Sequence, residues 1–148
     1  MKLRAPAVPL ITVDPYFSVW SAADKLTDRP TTHWADRGEG HTEKVNNHRP
    51  NTINGTATID GTVYRFMGVG EAPAMEQVSL DIDALTTTYA FEAAGVKLTA
   101  RFFTPIFPDD YERMTRPVSY LKLTAEGYIA FSPNGIEILL AIESRFEL

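Results

Sequence analysis

From residue 56 onward the chain alternates apolar and polar positions with a period of two. Residues 56–59, Asp60-Gly61 and residues 62–67 form the first unit, two β-prone runs around a dipeptide suited to a two-residue type I′ hairpin. In residues 77–83, Val78, Leu80 and Ile82 share a face against Ser79, Asp81 and Asp83; in residues 87–93, Thr87, Tyr89 and Phe91 do. After Ala94-Gly95, Val96, Leu98, Ala100 and Phe102 lie opposite Lys97, Thr99, Arg101 and Phe103. Short runs of this period between turn signals predict strands. Residues 118–124 and 136–146 continue the pattern. The second of these tolerates a helix, but its β-branched isoleucines favour strand. The expectation is an all-β chain of about seven or eight antiparallel strands, most simply a β-sandwich.

The N-terminal third is less regular. Residues 5–13 carry Pro6 and Pro9 and should run extended along a sheet edge. Asp14-Pro15 starts a turn. Residues 17–20 make a very short strand, with Phe17 and Val19 on one face and Ser18 and Trp20 on the other. Residues 21–32 read as a polar loop, with a single helical turn over 21–24 as the alternative. Residues 35–54, rich in Gly, Asn and charge, read as a mobile loop inserted in one domain that spans residues 1–148. The proline-rich stretch 105–117 is a loop holding one helical turn at 109–114, and Ser132-Pro-Asn-Gly135 is a turn.

Composition narrows the function classes. At 148 residues the chain can bury a core without covalent staples, and it has no cysteine for a disulfide, a thiolate metal site or a nucleophile. A net charge of −5 argues against a surface built to neutralise phosphates, so no nucleic-acid partner is expected. No apolar run approaches the ~20 residues that cross a bilayer. The first residues lack a signal-peptide core, which places the chain as given in the cytoplasm, or in the periplasm or outside the cell if an export signal precedes it.

Candidate chemistry gathers between residues 10 and 34. His33, His41 and His48 fit neither a helical pair nor a zinc spacing, so no metal site is expected. His33, followed by Trp34, reads either as a donor lining a pocket or as a hydrogen-bonded structural residue. Asp14, Asp24, Asp28, Asp36 and Glu76 are the carboxylates near the aromatic stretch, but they form no self-contained acid–base pair. Asp14 reads as a turn residue, and Asp109-Asp110 as a solvated loop or helix N-cap. With no nucleophile elbow, phosphate loop or dinucleotide fingerprint, neither a catalytic residue nor a cofactor is assigned. Asn54-Gly-Thr56 matches a glycosylation sequon and reads as a loop. Tyr16, Phe17, Trp20 and Trp34 form an aromatic cluster, either a face that docks another domain or a platform for a carbohydrate or other small ligand. The rim so defined is Asp14, Tyr16, Phe17, Trp20, Asp24, His33, Trp34 and Glu76.

Several motifs, in order, resemble the glutaminase A family. They are Arg4-Ala-Pro-Ala-Val-Pro-Leu10, Thr12-Val-Asp-Pro-Tyr-Phe-Ser-Val-Trp-Ser21, Asp24-Lys-Leu-Thr27 and His33-Trp34. Asp60-Gly61, Tyr64-Arg-Phe-Met-Gly68, Met75-Glu-Gln77, Phe91-Glu-Ala-Ala-Gly95 and Arg116-Pro-Val-Ser-Tyr120 follow. The resemblance implies an N-terminal β-sandwich that precedes an (α/α)6 catalytic domain, and a parent reaction that hydrolyses the side-chain amide of glutamine. On this reading the chain is a non-catalytic, incomplete sandwich whose partner is the missing helical domain. The alternative is a free-standing carbohydrate- or ligand-binding module. The resemblance runs from about Arg4 to Leu123; residues 35–54 look longer than the family pattern, and the tail from Ala125 departs from it.

Overall fold

A computed structural model describes residues 5–35, 51–127 and 136–144. The strands are β1 (Val8–Thr12), β2 (Ser18–Ser21), β3 (Asn51–Ile59), β4 (Thr62–Met67), β5 (Glu76–Ile82), β6 (Thr86–Ala93) and β7 (Val96–Phe103). One helical turn, α1 (Tyr111–Met114), precedes β8 (Tyr120–Gly127) and β9 (Ile136–Ser144). All strand pairings are antiparallel: β1 with β2, a three-stranded sheet β4-β3-β9, and a four-stranded meander β5-β6-β7-β8. The all-β expectation holds.

The two hairpins anticipated from glycine-containing dipeptides form for the expected reason. Asp60 and Gly61 have φ of 49° and 77°, and Ala94 and Gly95 have 46° and 76°. Two successive left-handed residues twist the chain the way the flanking strands require. β7 then alternates cleanly, with Val96, Leu98, Ala100 and Phe102 buried. They meet Ile53, Ala57, Ile59 and Phe66 from the three-stranded sheet in one apolar cluster. Phe66 spans the layers, its ring 5.9 Å from that of Phe91, which stacks on Tyr89.

Two features differ from expectation. β3 begins at Asn51, so residues 51–54 are strand and not loop. They are held by β9, which pairs along the whole of β3 from Asn51↔Ser144 to Ile59↔Ile136. The sequon Asn54-Gly-Thr56 therefore lies in a central strand, with Asn54 half-buried against Gly68. Residues 36–50, including His41, His48 and Asp36, and the turn at 132–135 lie outside the described residues. In β5 the register slips between Gln77 and Ser79, which turns Val78 out to solvent while Leu80 packs on the core. Residues 22–24 form a loop, as read from the sequence, and the alternative helical turn does not form. Ser21 closes β2, and the following loop drives Leu26 into the core, fully buried. That side chain alone contributes about 1.5–3 kcal/mol of apolar burial. The helical turn anticipated at 109–114 forms over Tyr111–Met114, with the Asp110 carboxylate accepting from the Arg113 N–H as N-cap.

Candidate functional site

The turn at Asp14-Pro15 builds itself locally. The Asp14 carboxylate accepts from the backbone N–H groups of Tyr16 at 2.7 Å and Phe17 at 2.8 Å. Proline fixes the backbone between them, and the chain reverses from β1 into β2. Asp14 is thus a turn residue, as expected, with one oxygen already committed.

The reversed chain presents the Pro15 carbonyl to residues 33 and 34. His33 Nε2 lies 2.8 Å from that oxygen, and Trp34 Nε1–H donates to it at 2.9 Å. The other ring nitrogen of His33, Nδ1, accepts from the Ala35 N–H at 3.1 Å. A nitrogen that accepts carries no proton, so the neutral imidazole holds its proton on Nε2 and donates it to Pro15. Both nitrogens of His33 are occupied, and its side chain is only 4% exposed. In this arrangement neither ring nitrogen offers a free lone pair.

The same clamp sorts the aromatic residues. Tyr16 and Trp34 are 79% and 57% exposed. Phe17 and Trp20 are half-buried, and Trp20 Nε1–H donates inward to Ser18 Oγ at 2.7 Å. The exposed rim therefore reduces to Tyr16 and Trp34, with Asp14 beside them.

Asp24 and Glu76 lie, in the chain, beside a second set of polar contacts. Both are exposed, and the residue that organises their surroundings is Gln77. Its Oε1 accepts from the Leu26 N–H at 2.8 Å, and its Nε2 donates to the Asp24 carbonyl at 3.2 Å. Arg65 ties the same loop from the other side. Its guanidinium donates to the carbonyls of Thr27, Gly68 and Ala72, all within 2.9 Å. Asp24 and Glu76 are thus not drawn to the Asp14–Trp34 rim by these contacts. Sequence reasoning passed over Arg65, Gln77 and Thr31 as functional supports. The first two fell inside recognisable motifs, but nothing local showed that their partners lie in a distant loop.

Thr31 is the third support. Fully buried, its hydroxyl donates to the Asn51 carbonyl at 2.7 Å and accepts from the Ile53 N–H at 2.8 Å. β4 stops pairing at Gly55, and this hydroxyl takes over the start of β3. Asn51 Nδ2 in turn donates to the Ser18 carbonyl. The rim is therefore anchored to the sheet through side chains.

Among the described residues, no three His, Asp or Glu side chains gather as a metal site, and no helix is long and apolar enough to cross a membrane.

Residues 85–145 match a family model described as Domain of unknown function (DUF5127). The chain is similar to Glutaminase A of Aspergillus oryzae, with 26% identity over 132 residues. That match covers 83% of this chain and spans 17% of the length of the curated relative. No solved structure matches. The resemblance to an N-terminal region of the glutaminase A family is borne out, and the second model carries it past Ala125, so the tail is part of the pattern after all. A model described as Domain of unknown function (DUF4964) matches residues 1–79, everything from the N-terminal clamp into β5. With more than half of its length under that model, the chain belongs to the DUF4964 family.

Proposed function

We propose that this chain is a non-catalytic β domain of a glutaminase A-like hydrolase, whose helical partner performs the hydrolysis of the glutamine side-chain amide. The observation that carries the reading is the clamp around Pro15. Both ring nitrogens of His33 and one oxygen of Asp14 are engaged by backbone groups of the turn that carries Tyr16 and of the segment that carries Trp34. A general base needs a free lone pair within reach of its proton, and a two-carboxylate mechanism needs facing carboxyls. What the clamp does supply is a rigid, partly apolar rim, suited to contact with a neighbouring domain. The similarity to a glutaminase over a small part of its length supports the same division of labour. The purified chain should release no ammonia from glutamine above a heat-treated control. Saturable release that tracks the folded protein would overturn the proposal.

The exposed pair Tyr16 and Trp34 also favours a second reading, a small-ligand or carbohydrate platform. Titration of sugars against tryptophan fluorescence separates the two. A saturable signal lost in Trp34→Phe but kept in Trp20→Phe would select the platform.

A further inference from the structure

The four-stranded sheet ends at β8, whose outer edge pairs with no described strand. β8 is eight residues long, contains no proline and pairs with β7 without a register slip. At the other end of this sheet, β5 carries a bulge and is tied to the Leu26 loop through Gln77. Natural sheets blunt such edges with bulges, prolines or charges. β8 has only charges, and their placement is unusual.

On the solvent face, Lys122 sits directly opposite Arg101, and Glu126 opposite Lys97. Like charges facing each other across a strand pair are unfavourable. Neither Arg101 nor Lys122 makes an ion pair among the described residues. The sheet edge therefore offers two adjacent cations with a carboxylate four residues away on the same strand.

We propose that β8 pairs antiparallel with β8 of a second copy, the two-fold axis passing through Thr124. In this register Lys122 faces Glu126 of the second copy, and symmetry repeats the pair. Leu123 meets Ala125, so the apolar face of the sheet continues across the junction. Shifting the axis by one residue to Leu123 puts Lys122 opposite Thr124 and Tyr120 opposite Glu126, and the charge match is lost. The Thr124 register also gives the Arg101–Lys122 pair the carboxylate that it lacks in one copy. The row across the joined sheets becomes Arg101, Lys122, then Glu126 and Lys97 of the second copy. Two four-stranded sheets become one of eight, with the open edge closed.

Charge reversal tests this, because sedimentation velocity between micromolar and millimolar concentration reads the dimer directly. The native chain should dimerise with rising concentration. Lys122→Glu and Glu126→Lys should each weaken the dimer roughly tenfold or more, since each changes both symmetry-related pairs at once. The double variant K122E/E126K should regain it, and an equimolar mixture of the two single variants should form a heterodimer. Melting curves of each variant establish that the fold survives; K122E replaces a like-charge pair with Arg101 by an attractive one and should not melt lower. A native chain that stays monomeric, single variants that still dimerise, or a mixture that does not associate would each overturn the proposal.

Discussion

The hydroxyl of Thr31 offers a sharp test of how the N-terminal clamp is fastened to the sheet. Thr31→Val keeps the shape of the side chain and removes both of its hydrogen bonds, leaving the Asn51 carbonyl without that donor and the Ile53 N–H without its acceptor. Each buried backbone group deprived of a partner costs about 1–3 kcal/mol. The carbonyl has a second lone pair with which to recover part of the loss, so the total should fall near 2–4 kcal/mol. Thr31→Ser keeps both bonds and loses one buried methyl, at about 1 kcal/mol. For a domain of this size, 1 kcal/mol moves the melting temperature by roughly 2–4 °C. The valine variant should thus melt roughly 4–16 °C below the native chain, and the serine variant roughly 2–4 °C below. Urea titration and thermal melting of the three proteins, side by side, measure the difference. If valine and serine prove equally stable, the hydroxyl is not what joins residue 31 to β3.

Two further substitutions probe the core. Gly55 faces the Phe66 ring so closely that an added Cβ would lie 2.6 Å and 2.9 Å from two of its ring carbons. Because Phe66 is fully buried, Gly55→Ala should cost about 1–3 kcal/mol of overpacking, and Phe66→Leu should relieve part of it in the double variant, seen as non-additive urea midpoints. Tyr89 carries the pH signal: burial pushes its phenol up to about 12 from 10.0, partly opposed by a hydrogen bond with Ser21. The folded state holds the proton that the unfolded chain releases near pH 10, so this stability is complete below pH 10 and is lost as pH rises through 12. The loss is on the order of 2–3 kcal/mol. Stability measured from pH 9 to 12 should fall more steeply for the native chain than for Tyr89→Phe; equal slopes would show that Tyr89 is not the source.

What could be read from the sequence was whatever depends on neighbours. Asp60-Gly61 and Ala94-Gly95 fix their hairpins through backbone conformation alone, and β7 needs only its own alternation. Asp14 could be read as a turn residue because its partners lie two and three residues away. The failures all involve distant partners. β3 reaches back to Asn51 because β9 and Thr31 satisfy it, and neither is visible from an Asn- and Thr-rich run. The β5 alternation broke where the register slips beside Gln77, whose side chain caps the Leu26 loop. The partner of His33 Nε2 lies 18 positions earlier, beyond the reach of any local pattern. Arg65 and Gln77 sit in motifs, but carbonyl acceptors have no sequence signature.

The pairing of β3 with β9 sets an order of events for the newly made chain. β5 to β8 pair in chain order, β5 to β7 through tight turns and β8 after the longer stretch that holds α1, so this meander can form without waiting for the rest. β3, by contrast, stays half-paired until β9 has been synthesised and has closed a loop around that whole meander. Until then the central strand of its sheet, rich in Thr and Ile, has a bare edge that another strand can capture. Among the described strands β9 comes last, and it is the one that covers this edge.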